Sequence, residues 1–231
     1  MQTHRITLAL ELSQRHGSVA MMNNKGAIES SVVESGSRDK DDLFPAIESI
    51  SSVLNISPID LELVVVSIGP GGFTGLRTAV AIAKMVALSA SADIVAVESA
   101  IVTAESSNKG NGPFIVISCV KRNQCWLSRV EKTNGHWECE ASITPIDAIH
   151  TKIHGCTTVF ADEFLNEGSR VLLKDLSVEI QPNTVHATAL LKVGVEMYIG
   201  GARCEPSSLL PLYPGEPEAV RAWKERQAPP K

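Results

Sequence analysis

Three sets of residues in this sequence are of types that do chemistry elsewhere. The first is the run Gly69-Pro70-Gly71-Gly72-Phe73-Thr74-Gly75, followed by Leu76-Arg77 and placed between an apolar run, Leu63 to Ile68, and a long Ala-rich stretch. A glycine-rich loop between a buried strand and a helix N-terminus can cradle phosphate, because backbone N–H groups and the helix dipole both favour an anion there. The spacing matches neither common phosphate loop. Leu76-Arg77-Thr78 stands where G-x-x-x-x-G-K-[ST] has Lys and Ser/Thr, and glycines 69, 71, 72 and 75 miss G-x-G-x-x-G. A structural or partner-facing corner is therefore the competing reading. The second set is His150 and His154, whose i, i+4 spacing would put both on one helical face as metal ligands. No Glu lies between them and Gly155 follows, so histidines at an exposed helix C-terminus are the plainer expectation. The third is Cys119 and Cys125, flanking Lys121-Arg122 in an expected hairpin where cations would lower a thiol pKa. Inert strand cysteines are the alternative, and the sequence has no G-x-S-x-G elbow.

The composition narrows what can position these groups. At 231 residues the chain fits one large domain or two lobes. Apolar residues make up 44% and aromatics 4%, so the core must be aliphatic, as in a buried mixed sheet with covering helices. A net charge of −5 argues against gripping nucleic acid by broad phosphate neutralisation. Five cysteines with no C-x-x-C pair suit reduced, mostly buried thiols. No stretch approaches the roughly 18 uninterrupted apolar residues of a membrane helix, and no signal-peptide h-region opens the chain. A cytoplasmic location without membrane contact is expected.

Residues Ile6 to Leu10, Ser18 to Met22 and Ala27 to Val33 read as three antiparallel strands, the last pair turned at Asn23-Asn24-Lys25-Gly26. A polar loop, Glu34 to Asp42, leads to a helix from about Asp41 to Leu54 with Leu43, Phe44, Ile47, Ile50, Val53 and Leu54 on one face. The strand from Leu63 is apolar almost throughout, as when both sheet faces are covered. The next helix begins near Thr74 as N-cap and runs to about Ser89. Asp93 to Val97 is a further strand, followed by a short helix near Ala100 to Ser106.

The polar segment Ser106 to Pro113 is the clearest break, and after it the element order restarts. Phe114 to Cys119, Cys125 to Glu131 and Trp137 to Ile143 read as strands. A helix near Pro145 to Ile153, a strand Thr157 to Ala161, a weak strand near Val178 and a helix from Ala187 to Ile199 follow. The pattern is an α/β duplication of β-β-β-α-β-α lobes, residues 1–108 and 109–210, with a Pro-rich, basic tail at 211–231 expected to fray. Between Leu76 and Leu88 only Arg77, Thr78 and Lys84 are polar. Such an excess of apolar surface predicts a helix buried on two sides, the second covered by this chain or by another protein.

Gly69-Pro70-Gly71-Gly72-Phe73-Thr74-Gly75-Leu76-Arg77 resembles the G-P-G-S-F-T-G-[LV]-R signature of the TsaB (YeaZ) family, departing only at Gly72. Ile6-Thr7-Leu8-Ala9-Leu10-Glu11 resembles that family's opening I-L-A-I-D-T, and Val97-Glu98-Ser99 its G-V-S-S. Pro211-Leu212-Tyr213 with Glu218 and Trp223 is similar to its P-x-Y-L-R…E…W ending. The resemblance implies a two-lobed actin-like ATPase (ASKHA) fold and a non-catalytic role in bacterial tRNA threonylcarbamoyladenosine synthesis, with no cofactor or metal of its own. It implies pairing, through N-lobe helices, with TsaD, the ATP- and metal-dependent enzyme that modifies adenosine 37 of ANN-decoding tRNAs. A TsaE-like ATPase would join them and tRNA would be met only through the complex; when the partner is absent, the small residues along the helix after Arg77 are compatible with a homodimer, which the sequence leaves open. Phe73, Leu76, Arg77, Val80, Ala83 and Lys84 would then form or support the partner face.

Departures from the actin-like pattern point the same way. A nucleotide site wants Asp at the end of the first strand and small hydroxyl residues after it; here Glu11-Leu12-Ser13-Gln14-Arg15-His16 changes the acid and adds bulk. Enzyme-like relatives carry H-x-x-x-H on an N-lobe helix, and the Asp41 to Leu54 helix has no His. The second-lobe hairpin, D-A-R-x-x-E-V-Y in the family, keeps only Arg122 and an aromatic, Trp126. An independent ATP-dependent phosphotransferase or ATPase remains the alternative, with a metallopeptidase-like protein behind it.

Overall fold

The computed structural model describes residues 4–34, 42–121, 123–162, 165, 167–175, 177–213, 223, 226 and 227. Its first sheet contains β1 (Thr7–Glu11), β2 (His16–Met22), β3 (Ile28–Glu34), β4 (Leu63–Gly69) and β5 (Asp93–Glu98) in the order β3-β2-β1-β4-β5. The second contains β6 (Phe114–Lys121), β7 (Gln124–Thr133), β8 (His136–Pro145), β9 (Thr158–Ala161) and β10 (Glu179–Pro182), ordered β10-β9-β6-β7-β8. Counted from each sheet's own first strand, the two orders are the same. In both, the first three strands form an antiparallel meander and the fourth and fifth add in parallel on the other side of the first. The duplication expected from element order is therefore present as topology, and the architecture is a two-lobed actin-like α/β fold.

Helices make up the other layers. α1 (Leu43–Leu54) and α2 (Phe73–Ala90) cover one face of the first sheet, packing Ile50, Leu54, Ala79 and Ala83 against Leu8, Leu10, Val64 and Val66. Alternate residues Ala9, Leu63 and Val65 point the other way, into a layer built by α3 (Ser99–Ser106) and α5 (Ala187–Ile199) that also receives Val116 and Phe160 of the second sheet. The far face of the second sheet, with Ile115, Ile117 and Leu127, is closed around Ile149 and Leu173, the latter from α4 (Glu167–Asp175). Because both faces of β4 are covered, its sequence carries apolar side chains with no alternation.

Part-buried and exposed polar bonds tie the two sheets together at the margin of this central layer. The Glu105 carboxylate on α3 accepts hydrogen bonds from Trp137 Nε1 at 2.7 Å and from Lys192 Nζ on α5, with Lys132 Nζ 3.5 Å away. Burial pushes the Glu105 carboxyl up, but the Lys192 and Trp137 bonds and the Lys132 charge outweigh it and hold the group below the usual carboxylate range. Asn183 accepts from Thr103 Oγ1 on α3 and donates to Ser118 Oγ on β6.

Several local expectations change. Residues Ile146–Thr151 form a 3-10 helix, and His154 lies past its end, so His150 and His154 do not share an α-helical face. Gly72, not Thr74, is the N-cap of α2. Phe44 and Val53 of α1 are exposed while Ala46 takes an inward place, because the helix rests on the sheet along Leu43, Ala46, Ile50 and Leu54. α4 has no counterpart in the expectations, and α5 lies on β1, β2, β4 and β5 of the first sheet although it follows the second. Most of the Glu34 to Asp42 loop and Arg122 fall outside the described residues.

Candidate functional site

The glycine-rich run is a corner pressed against the turn that follows β1. A Cβ at Gly71 would stand 2.2 Å from the Ser13 carbonyl oxygen, and one at Gly75 would stand 2.1 Å from that of Leu12. The Gly72 N–H donates to Ser13 O at 2.7 Å. The space a phosphate would need beside these glycines is thus filled by the chain's own backbone. Pro70, after a cis peptide bond from Gly69, carries the chain from β4 into this corner. Gly72 itself is open: a Cβ there meets only Ser13 O, at 3.6 Å. Its departure from the signature costs no packing, and only a capping hydroxyl is missing.

Glu11, at the degenerate nucleotide position, is fully buried. Its Oε1 accepts the Ser13 N–H at 2.8 Å, while Oε2 and Ser13 Oγ have no partner among the described residues. Burial pushes the carboxyl up, and the Ser13 N–H bond and the nearby Ser13 and Ser67 hydroxyls oppose it only in part. Ser67 Oγ in turn shares a 2.8 Å bond with Ser99 Oγ at the start of α3. A carboxylate that holds metal-bound water needs contact with water and an environment that favours its charge; this one is sealed from solvent and pushed toward its neutral form.

The opposite side of α2 is where the fold leaves surface uncovered. Leu76, Ala79, Val80, Ile82, Ala83, Val86 and Ala87 face the sheet, so of the six residues expected at a partner face Leu76, Val80 and Ala83 lie in the core. At 3.6 residues per turn they lie beside the exposed Phe73 and Arg77, on the flank of α2 that turns down onto the sheet. Lys84 is half-buried at the edge. Outward-facing residues recur at nearly every fourth position: Phe73, Arg77, Ala81, Met85 and Leu88. Phe73 and Met85 are each 52% exposed and Leu88 76%, an apolar stripe on one helix. Phe44 and Val53 of neighbouring α1 are exposed as well. Expectation from sequence missed Met85 and Leu88, whose four- and three-residue steps from Ala81 were the available signal. Of the two sides expected to be buried, the described residues of this chain cover one.

The chain end reaches this site too. After α5, Cys204 N–H donates to Ile94 O, Leu209 is buried in the core under α1 and α2, and Leu212 N–H donates to Ile68 O at 2.7 Å. Tyr213 then stacks on Phe73 with ring centroids 5.3 Å apart, and the Arg77 guanidinium lies 5.0 Å from the same Phe73 ring. Residues 211–213, expected to belong to a frayed tail, are therefore tied to the glycine corner. From 214 on, only 223, 226 and 227 are described.

The remaining candidates are structural. Burial and the Asp162 charge push the Cys125 thiol up to about 11, the reverse of activation, and Cys125 Sγ rests 3.5 Å from Thr144 O. Burial and Glu98 push Cys139 up to about 12. α2, at 18 residues and mean hydropathy 1.3, is long and apolar enough to cross a membrane by length and composition. Arg77, Thr78 and Lys84 interrupt its apolar run, as expected from the sequence, and the seven side chains it buries on the sheet account for the composition.

Comparison with known proteins follows the same outline. Residues 37–138 match the family model described as TsaD, tRNA N6-adenosine threonylcarbamoyltransferase. A Bacillus subtilis protein named tRNA threonylcarbamoyladenosine biosynthesis protein TsaB is 33% identical over 92 residues, 40% of each chain. The Escherichia coli protein of the same name is 24% identical over 152 residues, 63% of this chain and 65% of that one. The chain thus matches less than two thirds of the length of either relative. Among solved structures, YeaZ from Pseudomonas aeruginosa superposes with TM-score 0.74 at 17% identity, covering 91% of this chain and 100% of that one. A second Pseudomonas aeruginosa structure, described as similar to peptidase YeaZ, gives the same score with 99% of its chain covered. These two establish the fold.

Proposed function

We propose, from the assignment of this chain to the TsaB (YeaZ) family that its relatives and fold neighbours support, that it is a non-catalytic accessory subunit in tRNA threonylcarbamoyladenosine synthesis. It binds a TsaD-like transferase and so supports modification of adenosine 37 in ANN-decoding tRNAs, in the cytoplasm, with a TsaE-like ATPase as a further member of the complex. The observation that carries this reading is the outward stripe of α2: Phe73, Met85 and Leu88 are held in water by a helix whose other side is fully packed. Exposed apolar surface in line along one rigid helix favours helix-on-helix docking, driven by area removed from water. The chemistry around it fits a subunit without its own reaction, since the glycine corner is filled by backbone and Glu11 is sealed and pushed toward its neutral form.

The test is co-purification of the tagged chain with the TsaD-like transferase of the same cell. Met85→Glu and Leu88→Glu are expected to abolish pairing while leaving the far-UV spectrum and melting temperature near those of the parent. Undiminished pairing by both variants would overturn the reading. So would calorimetry in which the isolated chain binds Mg–ATP at micromolar concentration, which would favour an independent phosphotransferase or ATPase.

A further inference from the structure

Resting on that reading, we infer that the segment after α5 is part of the docking device. Tyr213 positions Phe73 and Arg77 so that the corner reads an acidic, amphipathic helix of the partner. Arg77 and Lys84 are the only charged residues of α2, both cationic and seven residues apart. Two turns of helix separate them by about 10 Å along the axis. Ala81, Met85 and Leu88 supply an apolar seam beside them. The complementary surface is a helix with an apolar stripe and two carboxylates about seven residues apart. A neutral apolar helix would bury the Arg77 charge without compensation, so the charges select against it.

Arg77 and Phe73 sit one helical turn apart on the exposed first turn of α2, where an Arg on its own samples many rotamers. Phe73 is held on one side by the Tyr213 ring and carries the Arg77 guanidinium over its face. Tyr213 is in turn fixed by the Leu212 N–H bond to Ile68 O, one residue before Gly69, and by Leu209 in the core. The order of support runs from the chain end, through two aromatic rings, to the charge. Among the described residues no carboxylate pairs with Arg77.

The experiment measures association of the full chain with the purified TsaD-like transferase over a range of salt concentrations, beside hydrogen exchange of the chain alone. Arg77→Gln with Lys84→Gln is expected to slow association severalfold at low salt and flatten its salt dependence. Tyr213→Ala is expected to weaken affinity by about threefold to tenfold through the same loss, while Tyr213→Phe retains it, as stacking requires. In the isolated chain, Phe73→Ala is expected to speed exchange of the Leu212 amide. Parental salt dependence in the double charge variant, or parental affinity in Tyr213→Ala, overturns the inference, as does an unchanged Leu212 amide. Met85→Glu separates the two levels. If it abolishes binding while the charge and tyrosine variants behave as the parent, the docking face stands, and both the positioning role of Tyr213 and the selection of an acidic helix fall. If Met85→Glu also binds as the parent, the docking face itself is refuted, and with it the role of Tyr213.

Discussion

Replacing Gly75 by Ala tests the central geometry of the molecule with one methyl group. The new Cβ would lie 2.1 Å from the Leu12 carbonyl oxygen, about 1.3 Å short of ordinary contact. Neither side yields easily. Leu12 is buried between β1 and β2, and the first turn of α2 is anchored by the Gly72 N–H bond to Ser13 O and by the fully buried Leu76. Backbone shifts forced by an added group of this size cost about 1–3 kcal/mol. In a chain of this length, 1 kcal/mol moves the melting temperature by about 2–4 °C, so Gly75→Ala should melt roughly 2–12 °C below the parent. Gly71→Ala should behave alike, with its Cβ 2.2 Å from Ser13 O. Gly72→Ser, one residue from Gly71, should do the opposite: the nearest atom is 3.6 Å away, the backbone is already extended at φ −63° and ψ 123°, and a hydroxyl there caps α2. A gain of a few tenths of a kcal/mol is expected. Urea and thermal unfolding of the three variants decide the matter. A Gly75→Ala protein melting within about 1 °C of the parent, or a Gly72→Ser protein as destabilised as Gly75→Ala, would refute the close-approach account.

Leu76→Glu, which places a charge in a position with no exposure, should yield a chain without a cooperative melt, whereas Met85→Glu on the outer face should unfold cooperatively near the parent midpoint. Glu105→Gln should cost about 1.5–3 kcal/mol at neutral pH, the worth of bonds to a charged group whose side chain is 10% exposed. Because the folded-state pKa of Glu105 is depressed, its stabilisation is complete above the unfolded value of about 4.3 and is lost as pH falls through the folded value. The gap between parent and Glu105→Gln in urea titrations should therefore narrow only in acid. Cys125, buried, and Cys139, half-buried beside Glu98, are pushed up to about 11 and about 12 and should react slowly with a disulfide thiol reagent at pH 8 until the chain is unfolded; rapid native-state labelling at either would contradict these raised values.

How far these features could be read from the chain depended on whether their cause is local. The strands of both meanders follow from alternation and from turns such as Asn23-Asn24-Lys25-Gly26, and the unbroken apolar run at β4 announced cover on two faces. The glycine corner was legible as a rigid shape, but its reason was not: the atoms that exclude a side chain belong to Leu12 and Ser13, about sixty residues earlier. The excess apolar character of α2 was visible as a sum, while the division between sheet side and solvent side depends on the helix's rotation against Val64 and Val66. Hence Leu76, Val80 and Ala83 were placed with Phe73 and Arg77. α4 escaped notice because its sequence, Glu167–Asp175, is polar and short. Tyr213 on Phe73 joins residues 140 positions apart, and no periodicity reports such a pairing.

The route of α5 and the irregular segment after it sets an order of events during synthesis. Ala187 N–H is bonded to Ser18 Oγ across 169 residues, and Leu190 and Leu191 cover the same layer as Ala9 and Val65. The first sheet is made first by the ribosome and finished last. Until α5 has emerged, one face of its earliest strands is bare, and closing it means joining segments far apart in sequence, which slows folding. A nascent chain stalled near residue 110 would thus display aliphatic surface to chaperones, and emergence of residues 187–213 closes that layer and brings Tyr213 to its place beside Phe73.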